Sequence, residues 1–295
     1  ATVTAYETLL ACDKASLLQP FTANPDNVKG TLIGYPLFSN PTNQAPTVTA
    51  TDTTDGFLLS GTMDYLVLAG LAANALIPAK IEGEQGFCHF LIDLSNNGVQ
   101  LSEPVQGLGI SACPVADLTL DRVPATCCCE PKDGPPVFNR VYARLSIALA
   151  AMETGIMQGS LKDALAYTGK RQQGGRRIIH WSEVKQIMSN MAVNIQLAEM
   201  LVQQCCHALE ARQLNWKGDA MAASIKIAEM AGEVTSDGIR VMGGVGYMKD
   251  FHQEKRFRDA RHLMSAFGIH RLKKLTFLEN HVSKTAHYRP QEVTP

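Results

Sequence analysis

Between residues 46 and 124, short apolar runs alternate with polar turns: TVTATD, FLLSGTMDYL, NALIPAKI, CHFLIDL, VQLSEPV and ADLTLDRV. Runs of this length, rich in Val, Ile, Thr and Leu, predict strands. Asp55-Gly56 and Asn96-Asn97-Gly98 predict turns between them, because Gly and Asn tolerate positive φ at low cost. Several strands at this spacing close into a barrel or a sandwich. The period then changes. After EPKDGPP, whose Pro and Gly at 131–136 predict a linker, residues 138–168 are rich in Ala, Leu and Met with no proline. Residues 182–212 carry Val184, Ile187, Met188, Met191, Ile195, Val202, Cys205 and Leu209 at three-to-four-residue spacing, one apolar stripe of a helix. Two further helices fit 218–242 and 258–284, Ser182 marks a helix start, and GKRQQGGRR at 169–177 is a glycine-punctuated break. Four long helices with short connections predict an antiparallel bundle. The expected fold is therefore α+β: an N-terminal segment 1–45 with one short amphipathic helix, a β-barrel over 46–130, and a four-helix bundle over 137–290.

A chain of 295 residues at 45% hydrophobic composition suits two cores. Its 27 basic and 28 acidic residues leave a net charge of -1, too little to hold a polyanion, which excludes nucleic acid as a partner. The sequence shows neither an apolar run long enough for a membrane span nor a basic leader before an apolar core, so the expected location is cytoplasmic. Cys127, Cys128 and Cys129, and the pair Cys205 and Cys206, fit neither zinc spacing nor a disulfide framework. They are expected to be buried or half-exposed thiols, with no metal. Met188, Met191, Met200 and Met242 are expected to fill a core, Tyr247 and Asp250 to pack and cap, and His180, His262 and His270 to be packed or helix-surface side chains rather than bases.

Four sequence words carry a resemblance. DGFLLSGT at 55–62, LDRVPA at 120–125, YTGKRQQGGRRI at 167–178 and DGIRVMGGVGYMKDFHQEKRFRDAR at 237–261 resemble, in order and spacing, those of the acyl-CoA dehydrogenase family of flavoenzymes, over roughly residues 46 to 285. The resemblance implies removal of two hydrogens from the α and β carbons of an acyl-CoA thioester, a glutamate taking the α proton while FAD accepts the hydride.

Against that pattern, Phe267 stands at the position of the catalytic glutamate and Ile269 at that of the following threonine, with Gly268 in register. The alternative position of the base, at the start of the first bundle helix, falls on or near Leu145. Glu153 lies two turns further on and is expected to be solvated or helix-paired. IGYPLFSNPTNQ at 33–44 replaces the loop that contacts flavin and substrate, and Tyr65 and Val67 stand where the flavin is lined, which implies no isoalloxazine held by this barrel. Only about 45 residues precede the barrel, so the resemblance implies that most of the N-terminal helical domain is missing and that a partner covers the face left bare.

The adenosine and pyrophosphate end survives. Arg171 and the loop of Arg240, Gly243 and Gly244 match positions that reach a neighbour's FAD, with Arg240 replacing a Gln and Gly174 a Phe. A guanidinium gives paired charge-assisted hydrogen bonds to pyrophosphate, and glycines let backbone amides approach closely. Arg176 and Arg177 flank this site or face solvent. The expected role is the non-catalytic subunit of a heteromeric FAD-dependent acyl-CoA dehydrogenase, sharing FAD with a catalytic homologue that handles the acyl-CoA. An active flavoenzyme with a relocated base and a flavin-free structural protein are the alternatives.

Overall fold

The computed structural model describes residues 1–22 and 28–284. Residues 285–290 of the expected bundle, and 23–27 of the Pro, Asn and Gly rich passage, lie outside the described residues. The chain divides into two compact units, Ala1–Leu145 with Ala266–Gly268, and Ser146–Ser265 with the residues from Ile269 on.

The first unit opens with α1 (Thr2–Ala11) and, among the described residues, holds seven strands: β1 (Ile33–Gly34), β2 (Thr49–Thr53), β3 (Gly56–Val67), β4 (Asn74–Ile81), β5 (Cys88–Asp93), β6 (Val99–Leu101) and β7 (Val115–Cys127). β4 pairs with β2, β2 with β3, β3 with β7, β7 with β5, and β5 again with β4, so the ladder closes on itself as a barrel. β1 adds in parallel to β4, and β6 antiparallel to β7. Every predicted run seeds a strand, although VQLSEPV contributes only its first three residues to β6; Pro104 has no N–H to offer a ladder beyond them. Leu59, Ile77, Phe90, Leu118 and Val123 are fully buried in this core, each stabilising it by roughly 1.5–3 kcal/mol. The long β3–β7 pair slips register twice, between Leu59 and Gly61 and between Met63 and Leu66. At the first slip, Gly61 has φ +131, and a Cβ there would sit 2.8 Å from the Thr47 carbonyl oxygen. At the second, Tyr65 takes φ 60 and turns outward, 49% exposed.

The helix α2 (Gly134–Thr168) starts in the first unit and continues into the second beyond Leu145. Pro135 and Pro136 sit in its first turn, where backbone N–H groups have no helical partner to lose. Gly134 is sterically required, since a Cβ would lie 1.8 Å from the Phe87 carbonyl oxygen.

The second unit adds α3 (Ser182–Glu210), α4 (Trp216–Met242), α5 (Gln253–Leu263) and α6 (His270–Lys284). The predicted stripe on α3 is realised: Met188, Met191, Ile195 and Cys205 are buried in a core with Met157 and Ala164 of α2, Ile227 and Val234 of α4, and Ala260 of α5. Two expectations need correction. Met200 is 57% exposed rather than core, because it lies on the α3 face away from the stripe. The single helix expected over 258–284 is two helices, because Phe267 at φ 59 and Gly268 at φ +109 leave helical space between them. A polar knot fixes α5 to α2: Gln253 Nε2 donates to the Ser160 carbonyl at 2.7 Å, Ser160 Oγ donates to Gln253 Oε1 at 2.9 Å, and Arg256 pairs with Asp163 at 2.7 Å.

Candidate functional site

Phe267 is 1% exposed. Its ring lies 5.1 Å from Tyr142 and 6.2 Å from Phe138, centroid to centroid, and its backbone N–H donates to the Leu37 carbonyl at 2.6 Å. The hydrogen bond and the ring contacts hold a positive φ that a non-glycine residue adopts only against local strain. The position that the resemblance assigns to the base is thus filled by hydrocarbon. The nearest hydroxyl of this aromatic trio, on Tyr142, is pushed up to about 12 by burial and stays protonated at neutral pH. Leu145, at the alternative position, is buried.

In the loop at 33–44, Asn40 Oδ1 accepts from the Thr42 N–H at 3.0 Å and the Thr42 hydroxyl at 2.6 Å, a self-contained turn. Between this loop and β3 lies a cavity of about 220 Å³ lined by Phe38, Pro41, Gln44, Met63 and Tyr65, below the roughly 300–1,000 Å³ of small-molecule pockets.

Glu153 departs from expectation. It is neither solvated nor paired along its helix: it is 1% exposed on α2, and its Oε2 has no hydrogen-bond partner among the described residues. Burial pushes its carboxyl up to about 8, against the pull of the Lys273 ammonium. Lys273 is itself 9% exposed; its Nζ donates to the Met264 carbonyl at 2.9 Å, and burial pushes it down to about 8. This is a buried acid and base that both exchange protons near neutral pH. The only sequence signal was a carboxylate inside the apolar run LSIALAAMETGIM.

Of the expected cofactor residues, Arg171 follows the end of α2, where its N–H closes onto the Tyr167 carbonyl at 2.9 Å and its side chain is exposed. It leads into a two-stranded hairpin, β8 (Gln172–Gln173) and β9 (Arg176–Arg177), turned by Gly174 at φ +64 and Gly175 at φ +81. Gly174 is needed for a second reason: a Cβ would lie 2.8 Å from the Trp181 ring. Trp181 donates Nε1–H to the Gln173 carbonyl at 3.2 Å, and the Arg176 guanidinium stacks 3.7 Å from its ring centroid. Arg176 thereby braces the hairpin. Arg240 lies in the last turn of α4, exposed and 3.4 Å from Asp237. Gly243 caps that helix at φ +60, and a Cβ on Gly243 or Gly244 would meet nothing within 4 Å, so this backbone is open. No hydrogen bond or ion pair among the described residues joins Arg171 to Arg240, Gly243 or Gly244.

Among the histidines, His180 is exposed and His262 half-buried. His270 Nε2 lies 3.4 Å from Glu229, a carboxylate also held by Lys274 at 2.6 Å; burial keeps the imidazole low in spite of it. Tyr247 and Asp250 neither pack nor cap as expected: both are exposed, and no side chain caps α5. No helix of the described residues is long and apolar enough to cross a membrane.

A family model described as acyl-CoA dehydrogenase, C-terminal domain, matches residues 133–273. The Acetobacterium woodii protein named caffeyl-CoA reductase-Etf complex subunit CarC is 26% identical over 224 residues, which cover 72% of this chain and 58% of that protein. The short/branched chain specific acyl-CoA dehydrogenase, mitochondrial, of Bos taurus is 30% identical over 218 residues, covering 70% and 49%. The butyryl-CoA dehydrogenase of Megasphaera elsdenii shares the fold with a TM-score of 0.81 at 22% identity, covering 95% of this chain and 77% of that one. This chain spans 49% to 64% of the length of the curated relatives it matches.

Proposed function

We infer, from a chain that belongs to the acyl-CoA dehydrogenase family, that it is the non-catalytic subunit of a cytoplasmic, heteromeric acyl-CoA dehydrogenase. The observation that carries this reading is Phe267, locked among Phe138 and Tyr142 where a proton acceptor is needed. The family depends on FAD, which supplies the hydride acceptor when bound. The residues of this chain fit one half of that cofactor. Arg171 and Arg240 would neutralise its pyrophosphate, and the open backbone at Gly243 and Gly244 would lie close to phosphate or ribose. The small cavity beside Tyr65 argues that the flavin ring is held by the partner. Exposed Val193, Leu197 and Met200 on α3, and Leu275 and Leu278 on α6, are 48 to 57% solvent-accessible apolar surface of the kind that partners cover.

The second reading, an active enzyme with a relocated base, is favoured by one observation: Glu153 has a free oxygen and a proton affinity suited to general base work. Co-expression with a family member that retains the glutamate separates the two. The first reading expects a colourless isolated chain, and a yellow complex with one FAD per catalytic subunit, that is, one per pair of unlike chains. A yellow isolated chain that keeps FAD through gel filtration supports the second.

A further inference from the structure

Three thiols share one face of the barrel where β5 meets the end of β7. The β5–β7 ladder pairs Phe90 with Cys127 and Leu91 with Thr126. It runs on past Cys127, because the Cys128 N–H donates to the His89 carbonyl at 2.9 Å. Antiparallel register therefore sets Cys88 opposite Cys129. Backbone hydrogen bonds bracket that step, from Cys128 to His89 on one side and from the Phe87 N–H to the Pro131 carbonyl, at 3.2 Å, on the other. Cys88 and Cys129 thus form a non-hydrogen-bonded step, at which facing Cα atoms approach to about 4.5 Å. A disulfide spans Cα separations of roughly 4.4–6.8 Å.

Strand alternation decides which face each side chain takes. Cys88 and Phe90 are fully buried in the barrel core, and Cys127 and Cys129 pack against that core. His89, between Cys88 and Phe90, takes the other face, its ring 6.4 Å from Tyr35 and 5.5 Å from Phe87, centroid to centroid. Cys88 and Cys129 therefore share a face as well as a register position. Cys127 is the poorer partner for Cys88. It stands on the diagonal of the ladder, a separation of about 7–8 Å, and its thiol donates to the Cys129 carbonyl at 3.1 Å. A glycine lets the two backbones close up beside the pair: a Cβ on Gly86 would lie 2.3 Å from the Pro131 carbonyl oxygen. Cys129 is half-exposed and Cys88 is buried, so a reagent from solvent meets Cys129 first.

We propose that Cys88 and Cys129 are a cross-strand redox pair that closes to a disulfide by exchange with a low-molecular-weight disulfide, stapling β5 to the segment that leads into α2. The Cys129 thiolate attacks one sulfur of the external disulfide, forming a mixed disulfide and expelling one thiolate. Cys88, deprotonated, then attacks the Cys129 sulfur from the barrel side, forming the Cys88–Cys129 bond and expelling the second thiolate. Two protein thiols are oxidised and one external disulfide is reduced to two thiols, which carry away the two protons. A reducing compartment reopens the bond when the oxidant is spent.

The full chain is equilibrated with oxidised and reduced glutathione over a range of ratios, quenched by alkylation, digested and mapped by mass spectrometry, with fragment spectra placing each bonded sulfur. The expected result is one cross-link, Cys88 to Cys129, absent from Cys88→Ala and Cys129→Ser and retained in Cys12→Ser and Cys127→Ser, while Cys205 and Cys206 remain alkylated. The oxidised wild-type chain melts at a higher temperature than the reduced one, and Cys129→Ser shows no such difference. The wild-type map needs no variant to fold. Alkylation of all eight thiols at every ratio, a bond from Cys129 to Cys12 or Cys127 instead, or a stoichiometric metal shielding these thiols would each overturn the proposal.

Discussion

The buried pair Glu153 and Lys273 makes stability depend on pH in a way that surface charges do not. Glu153 has a folded-state pKa raised from 4.5 to about 8, so between those values the native state keeps a proton that the unfolded chain has lost. Stability therefore falls as pH rises through this window. At about 1.4 kcal/mol per pH unit the gap sets a ceiling of about 5 kcal/mol, reached above pH 8. Lys273 works in the opposite sense, its pKa lowered from 10.5 to about 8. Between these values the unfolded chain holds a proton that the native state does not, so stability rises with pH there. The two limbs meet in a minimum near pH 8. Trp181 and Trp216 are the only tryptophans of the chain, and both lie in the second unit with this pair. Urea denaturation followed by their fluorescence from pH 5 to pH 10 thus reads the unit directly. Wild type loses on the order of 3–5 kcal/mol between pH 5 and pH 8, and Glu153→Gln removes most of that slope. The reasoning fails if wild-type stability rises over that range, or if Glu153→Gln leaves the slope unchanged.

Phe267→Ala, which empties the space between Tyr142 and Phe138, is expected to cost about 3–5 kcal/mol in denaturant unfolding; a cost near zero would mean that the ring fills nothing. Gly134→Ala places a methyl against the Phe87 carbonyl and is expected to destabilise by more than about 2 kcal/mol, read as a lower melting temperature. In a complex that holds FAD, Arg171→Ala and Arg240→Ala each remove a charge-assisted contact of about 1.5–3 kcal/mol. Roughly ten- to hundred-fold weaker FAD retention on dialysis is the expected result, while Arg176→Ala, which loosens the hairpin at Trp181, acts mainly on stability.

The barrel was legible because its strands carry their own punctuation. NALIPAKI coincides with β4 residue for residue, and Gly56 and Gly98 stand at the turns that flank β3 and β6. The α3 stripe was legible for the same local reason, a period of three to four apolar positions. What could not be read depends on partners distant in sequence. Nothing in RHLMSAFG forbids a continuous helix; the break at Phe267 is imposed by the Leu37 carbonyl and the rings of Phe138 and Tyr142. A lone glutamate on an apolar helix has the same spelling whether it faces water or a core, so the burial of Glu153 appears only once α6 brings Lys273 to it. Arg171, Arg240, Gly243 and Gly244 were found through their sequence words, and the fold leaves them exposed or open rather than joined to one another.

The central claim is that no side chain of this polypeptide takes the α proton. Its most direct test is anaerobic addition of a short-chain acyl-CoA to the isolated chain mixed with excess FAD and, separately, to the complex, followed by the flavin absorbance. The account predicts no substrate-dependent bleaching from this chain, and bleaching in the complex that disappears when the glutamate of the partner is replaced by glutamine. Bleaching by the isolated chain, lost in Glu153→Gln, would contradict it.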